Sequence, residues 1–329
     1  MHRFICASIL LFGCATDPAQ PDNLTDDDGK SDGFGIQLVE TKLADEVRQP
    51  ELVTQDDTFV YYTLFTEDDG QVLVRASKRD GGSEQIATLP ISAPNHMALG
   101  GDTIYLSDPA SVYAIAKTGA GELQTVATFD NTVWAITADA TGVYVAHQVS
   151  DGQRITKFPG QLELARATFV TSLATDDVAL YWLDETQPNP AIGCGKNAGF
   201  AHKIGKSGGL DVTLAAGINC PISVAADPSG VYYTNWAMTG PGNPVVRLPR
   251  FGLPQVLGFA GGAEIGLEPG HVSWLSPQGT IQRRAKSFGF ARDVASNVDF
   301  GLLQADAGGM FFWRRDADTA HYELYRLSR

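Results

Sequence analysis

The chain has 329 residues, with 24 Lys and Arg against 38 Asp and Glu, so its formal net charge is −14 at pH 7. That charge disfavours nucleic acid as a partner, because the phosphates would be repelled. Only 19% of the residues are charged, whereas the chain contains 35 Gly and 17 Pro. This composition favours many short strands joined by tight turns over long helices, and the sequence therefore predicts an all-β protein.

The first segment, residues 1–13, has the pattern of an export signal. Arg3 supplies a positive charge, an apolar run follows, and Gly13 precedes Cys14. The run is about half as long as the ~20 residues that a membrane-spanning helix needs. The stretch LFGC at 11–14 resembles the lipobox of bacterial lipoproteins, in which the signal is cut before a cysteine that receives a lipid. We therefore expect export and a lipid anchor on Cys14, at the outer membrane or cell surface. The alternative is an ordinary secretory signal followed by a chance cysteine.

Residues 14–34 follow the signal and are rich in Asp, without an aliphatic pattern. Such a segment cannot bury a core, so we expect an acidic tether. Asp26, Asp28 and Asp32 in DDDGKSDG faintly resemble a calcium loop, but the later acidic ligand that would close such a site is missing. A solvated linker is therefore the preferred interpretation.

Two further thiols, Cys194 and Cys220, would enter an oxidising compartment together if Cys14 is acylated. We expect them to form a disulfide, which chain-entropy reasoning makes worth about 3 to 4 kcal/mol. The alternative is a metal site that uses both thiols with His202. No CxxC or HxxxH spacing supports that alternative.

One pattern recurs from residue 52 onward: a short strand, a turn with Asp, Gly or Pro, and an aromatic strand. Its spacing of about 40 residues is typical of four-stranded propeller blades. One longer interval contains the segment between Cys194 and Cys220. Seven equivalent positions mark the copies: Tyr61, Tyr105, Tyr144, Tyr181, Tyr232, Ser273 and Phe311.

Between successive copies lie two more strand-like pieces, separated by a Gly or Pro turn such as GKSGG at 205–209. Each unit therefore has four strands, A to D, and the sequence predicts a seven-bladed β-propeller over 35–329. The last unit supplies A, B and C strands and then stops. The segment GIQLVETKLA at 35–44 is predicted to be its missing D strand, which would close the ring and remove an open sheet edge.

VYYTN at 231–235 and LYWLD at 180–184 resemble the YWTD-like repeats of secreted propellers. The array over 35–329 is similar to bacterial lipoproteins built of YWTD-like or NHL-like blades. This resemblance implies the architecture but not one activity, since such propellers serve as binding scaffolds, lyases and hydrolases.

Two features that recur once per blade have structural explanations. The acidic residues of the A–B turns are too few for calcium, which needs six or more oxygens, so we expect them to cap turns. The aromatic residues of the second strands are expected to pack between blades rather than to bind carbohydrate. The turn acids are Asp139, Asp176, Asp227 and Asp306, and Trp182, Trp274 and Trp313 accompany the aromatic strands.

The candidate binding face carries the loops from B to C and from D to the next A. Its two longest B–C loops, 184–202 and 235–244, belong to neighbouring blades. Polar groups that converge around an aromatic ring there would make a small-molecule or glycan site. The alternative for each residue is ordinary turn chemistry. The candidate ligand-binding residues are His96, His147, Asp184, Asn235 and Trp236.

The preferred hypothesis is a monomeric, non-catalytic envelope lipoprotein that binds a protein or a glycan, without cofactor or metal. HExxH and Walker motifs are absent from the sequence, and we predict no catalytic residue. The alternative is a metal-assisted lyase or hydrolase of the streptogramin-lyase-like propeller type. It requires at least two His or carboxylate side chains to converge on one metal position, with His96, His147 and His271 as the candidates.

Overall fold

The structure is a computed structural model, and every element that it describes is a β strand or a turn. It describes residues 29–31, 37–91, 93–186, 197–236, 242–262, 264–287, 289–298 and 303–328. The predicted signal peptide, Cys14 and Cys194 lie outside these ranges. Within the described part of the chain, no helix has the length and apolar character needed to cross a membrane.

The strands form seven antiparallel sheets, and two strands, β1 (Gly29–Ser31) and β2 (Gln37–Glu46), precede the first complete blade. Blade 1 contains β3 (Val53–Gln55), β4 (Phe59–Thr66), β5 (Gly70–Ser77) and β6 (Ser83–Leu89). Blade 2 contains β7 (His96–Gly100), β8 (Thr103–Ser107), β9 (Ser111–Ala116) and β10 (Gln124–Thr128). Blade 3 contains β11 (Val133–Asp139), β12 (Gly142–Val149), β13 (Gly152–Phe158) and β14 (Leu162–Ala167).

The remaining blades continue the same strand order. Blade 4 contains β15 (Val170–Thr175), β16 (Ala179–Glu185), β17 (Gly199–Gly205) and β18 (Val212–Ile218). Blade 5 contains β19 (Pro221–Asp227), β20 (Gly230–Asn235), β21 (Asn243–Pro249) and β22 (Gln255–Ala260). Blade 6 contains β23 (Ile265–Glu268), β24 (His271–Leu275), β25 (Ile281–Ala285) and β26 (Arg292–Ala295). Blade 7 contains β27 (Gln304–Asp306), β28 (Gly309–Arg315), β29 (Tyr322–Ser328) and the N-terminal β2.

The first strands of the blades contact one another in a closed ring. Each A strand touches the A strand of the next blade, and β27 of blade 7 returns to β3 of blade 1. The predicted seven-bladed propeller with four-stranded blades is therefore confirmed.

Blade 7 is closed by the N-terminal strand, as the sequence predicts. β2 pairs antiparallel with β29, from Val39 opposite Ser328 to Glu46 opposite Tyr322. The observed strand covers 37–46 instead of the predicted 35–44. The backbone of β1 adds a fifth strand to this sheet by pairing with β2, which differs from the expectation that 14–34 contains no packed element.

The aromatic strands build the core between blades, which confirms their predicted packing role. Trp182, Trp274 and Trp313 are each at most 1% exposed. Close approach between neighbouring sheets requires a small residue in places: a Cβ added to Gly258 of β22 would lie 2.3 Å from Cζ2 of Trp274. Burial of these rings supplies much of the hydrophobic stabilisation of the ring of blades.

The acidic residues of the A–B turns cap those turns, as predicted, and in blades 1, 3 and 4 the acid also binds a tyrosine of the following strand. In blade 3, Oδ1 of Asp139 accepts the Thr141 N–H at 2.7 Å, and Oδ2 accepts the Tyr144 hydroxyl at 3.0 Å. Asp176 and Tyr181 repeat this arrangement in blade 4, at 2.8 Å. The spacing of five residues between acid and hydroxyl therefore recurs in these blades, whereas blade 7 has Phe311 at the equivalent position.

Lysines after the C strands join neighbouring blades through the same acids. Lys117 of blade 2 binds Asp56 of blade 1 at 2.8 Å, and Lys206 of blade 4 lies 2.6 Å from Oδ2 of Asp139 in blade 3. Each pair is largely shielded from solvent, so it is screened less than a surface ion pair. The same contact occurs at two further seams, as we call the boundaries between neighbouring blades: Lys286 with Asp227 and Lys78 with Asp306.

Candidate functional site

The antiparallel strand order divides the loops of the propeller between two faces. The B–C face carries the ends of the B strands and the starts of the A strands, including His96, His147, Asp184 and Asn235. The A–B face carries the opposite strand ends, where the turn acids lie. All the predicted ligand-binding residues are thus on or beside the B–C face, but they are spread over four blades.

The two histidines on the B–C face lie on blade strands, His147 in β12 and His96 in β7. Nε2 of His147 lies 3.1 Å from the Thr156 hydroxyl, and its ring packs 4.4 Å from the Phe129 ring, between centroids. His96 is the first residue of β7 and lies opposite Ser107 in β8. Burial lowers the pKa of both imidazoles below their usual value, which favours the neutral form at pH 7.

Asp184 stabilises the connection between blades 3 and 4. Its carboxylate is buried and accepts the Phe169 N–H at 2.9 Å and the Thr168 N–H at 3.4 Å. These donors belong to the loop that leads into β15, so the carboxylate orders the B–C face. The alternative interpretation of Asp184, ordinary turn chemistry, accounts for these contacts.

Asn235 and Trp236 end the B strand of blade 5. Asn235 lies opposite Pro221, and the Trp236 N–H donates to the carbonyl oxygen of Cys220 at 2.8 Å. The Trp236 side chain is 55% exposed. Cys220 is buried beside it, but Cys194 lies outside the described residues, so their disulfide stays a prediction.

An exposed tryptophan, Trp134, was missed by the sequence reasoning. The A–B pairing skips Trp134, between Val133 and Ala135, and the resulting bulge leaves the side chain 37% exposed at the start of an A strand. Its indole packs edge-on against Phe169, with ring centroids 4.8 Å apart. Bulges commonly redirect side chains beside binding sites. The break in apolar alternation at VWA is the sequence signal that could have revealed it.

The same bulge recurs in the next two blades, at Thr171 and Ile222. The hydroxyl of Thr171 is buried and has no hydrogen-bond partner among the described residues. Three neighbouring A strands therefore begin irregularly on the B–C face. This part of the face presents exposed aromatic surface, which suits binding rather than proton transfer.

The geometry offers little for the metal-assisted alternative. No cluster of three or more His, Cys, Asp or Glu that could hold a metal occurs in the described ranges. His271 begins a B strand, so it is on the A–B face, away from His96 and His147; its Nδ1 lies 3.2 Å from Nη2 of Arg283. His202 stacks on Trp182, with centroids 5.0 Å apart, and its Nδ1 lies 3.1 Å from Asp211.

The segment GKSGG at 205–209 forms the predicted turn between C and D strands, since β17 ends at Gly205 and β18 begins at Val212. Its letters also fit the GxSxG pattern of serine hydrolases. That pattern requires a strand-to-helix turn, whereas Ser207 is an exposed residue between two antiparallel strands. The segment therefore has no nucleophile role.

Two cavities open on the A–B face instead of the predicted B–C face. One, of about 500 Å³, lies between blades 4 and 5. The other, of about 540 Å³, lies between blades 6 and 7. In the second cavity, Arg283 donates to both carboxylate oxygens of Glu268, at 2.8 and 2.9 Å. These two buried charges neutralise each other.

The fold defines the chain as a seven-bladed β-propeller. No family model matches the chain, and no curated protein matches it. Solved structures are similar to it. The puromycin-hydrolyzing peptidase of Mycobacterium tuberculosis is 14% identical over 81% of this chain and 49% of that chain, with a TM-score of 0.61. The WD40 β-propeller domain of Doa1 is 12% identical over 87% and 96% of the two chains, with a TM-score of 0.58.

A nidogen/laminin complex is 20% identical over 62% of this chain and 76% of that chain, with a TM-score of 0.46. Identities this low show the fold alone. The chain spans about half of the peptidase's length, so no peptidase activity follows from that similarity. The YWTD-like or NHL-like type of the repeat stays a prediction.

Proposed function

We propose that this propeller is an exported, lipid-anchored, non-catalytic protein that binds a glycan through the B–C face of blades 3 to 5. The observation that carries the proposal is the bulge at Trp134, which presents an indole to solvent at the start of an A strand. The rigid sheet behind it would keep the ring in place without a ligand, so little ordering entropy would be lost on binding.

A glycan is favoured over a protein partner by the chemistry of this face. Sugar rings stack their C–H faces on flat aromatic side chains and need neutral hydrogen-bonding groups around them. Trp134 and Trp236 supply exposed indoles, while Asn235 supplies a neutral polar group. The titratable groups nearby, His147 and Asp184, are occupied by contacts within the fold.

The test is a Trp134→Ala variant assayed against a panel of soluble cell-wall and capsule glycans by intrinsic fluorescence and calorimetry. We expect the wild-type protein to bind at least one glycan, and the variant to bind it about tenfold more weakly, because a stacking face is lost. Phe290→Ala is the control, since Phe290 is an exposed aromatic residue on the opposite, A–B face, 93% exposed.

Equal binding by the Trp134→Ala variant would contradict the proposed site, provided its melting temperature matches that of the wild type. Absence of any glycan binding, with capture of one purified envelope protein instead, would move the proposal to the protein-binding alternative. A weaker interaction in the Phe290→Ala control would indicate non-specific contact with aromatic side chains.

Export and anchoring are tested through Cys14. In a bacterium that processes lipoproteins, we expect the wild-type chain to incorporate labelled palmitate and to sediment with membranes. A Cys14→Ser variant should lose the label and appear in the soluble envelope or culture fraction, because one cysteine carries the lipid. Label retained in the variant, or a wild-type chain without label, would overturn the anchor.

A further inference from the structure

A lysine–aspartate contact joins neighbouring blades at four of the seven seams. The seam between blades 4 and 5 lacks this contact among the described residues. The position after the C strand that holds Lys in those seams is occupied here by Arg250. Arg250 is exposed and forms no ion pair with any described residue. The acid that it would meet, Asp176, is instead held by the N–H groups of Val178 and Ala179 and by the Tyr181 hydroxyl.

The cavity of about 500 Å³ on the A–B face lies in this open seam, and its volume is within the range of small-molecule sites. Both blades contribute to its walls, which combine apolar and polar side chains. Phe251 is at its edge and is 93% exposed. The apolar lining residues are Val178, Leu214, Val231, Leu248, Pro249 and Pro254.

The charges available in this cavity are positive. Lys203 and Arg250 line it, and neither forms an ion pair with a residue in the described ranges. The one carboxylate of the lining, Asp227, is bound by Lys286 of the next blade. These two cations, beside apolar side chains, give the cavity a local positive charge on a chain whose net charge is −14.

The geometry points to a second binding site in this seam, which takes a small anionic amphiphile: one carboxylate, sulfonate or phosphate head on an acyl or aromatic body. The head would be bound by Lys203 and Arg250, whose guanidinium can hold two oxygens at once. The apolar body would lie along Leu214, Val178 and Phe251. This site is on the opposite face from the proposed glycan site and does not depend on it.

The experiment uses the full protein and isothermal titration with decanoate below its micelle concentration. 1-Decanol and decyltrimethylammonium test the charge requirement, because they share the chain and differ in the head group. We expect decanoate to bind with one-to-one stoichiometry and at least about tenfold more tightly than either analogue. Equal affinity for 1-decanol would overturn the role of the two cations.

The site residues are tested by Arg250→Gln and Lys203→Gln, each expected to weaken decanoate binding about fivefold. Lys157→Gln is the matched control, because Lys157 lies opposite Tyr144 just as Lys203 lies opposite Tyr181. The control should bind decanoate as the wild type does. An equal loss in the control would indicate a general charge effect and overturn the site. Adsorption to anionic phosphatidylglycerol vesicles, without any binding of monomeric decanoate, would also overturn it.

Discussion

Asp139 shows how one repeated residue stabilises both its own turn and the neighbouring blade. Burial by itself would raise the pKa of this carboxyl, but hydrogen bonds from Lys206, Thr141 and Tyr144 outweigh burial and lower the pKa to about 2. The turn-capping part of this role follows from the local sequence. The lysine does not, because it comes from the next blade and only the ring of blades brings it near.

Asp139→Asn is therefore expected to reduce stability at neutral pH. The folded-state pKa lies below the usual value of 3.8, so the stabilisation is complete above about pH 5 and is lost as the pH falls towards 2. After discounting for partial exposure, we expect a loss of about 1 to 2 kcal/mol at pH 7. Urea unfolding between pH 2 and 7 measures this, and the variant should have a flatter dependence on pH.

Lys206→Gln and the double variant complete a double-mutant cycle for this pair. If the contact operates as described, the two single losses should sum to more than the loss in the double variant. A wild-type pH dependence in Asp139→Asn, or strictly additive losses, would contradict the role given to this ion pair.

Strand β2 is the element that decides whether the ring is closed. It covers the exposed edge of β29, and Glu40 at its start also pairs with Arg314 of β28. Without β2, the C-terminal blade would present an unpaired edge strand, which is a template for aggregation. The sequence predicts this strand because the last unit lacks a D strand and an unassigned strand precedes the first unit.

A chain lacking residues 1–46 is expected to lose the D strand of blade 7 and to aggregate or unfold at lower urea concentration. A chain lacking residues 1–28 keeps β2 and is the control, so it should unfold cooperatively as the full-length protein does. Size-exclusion chromatography and urea unfolding distinguish the two. A stable, monomeric chain without residues 1–46 would show that β2 does not contribute to closure.

The bulges at the starts of β11, β15 and β19 are elements that sequence patterning did not reveal. Strand prediction from alternating residues assumes a regular register between strands. In a bulge, two residues of one strand lie opposite a single residue of its partner, so the alternation is broken. Trp134 is exposed for this reason alone. The predicted residues His147 and Asp184 were correctly placed at one face, but their side chains are occupied within the fold.

At the scale of the whole molecule, the seven blades separate two surfaces with different chemistry. The B–C face presents the exposed indoles of Trp134 and Trp236. The A–B face has lysine–aspartate contacts at four boundaries between blades, and the boundary between blades 4 and 5 has the cavity with Lys203 and Arg250 instead. The two proposed sites can therefore be tested separately, because variants on one face leave the other unchanged.

The all-β class, the number of blades, the closing strand and the packing role of the aromatic residues were predictable from the amino-acid sequence. These properties depend on local alternation, on turn residues and on a repeat that recurs along the chain. Which side chains have partners became clear from the folded chain. Lys117 and Asp56 are 61 residues apart and Lys78 and Asp306 are 228 apart. The lysine–aspartate contacts between blades, and the lack of one between blades 4 and 5, therefore arise only when the ring closes.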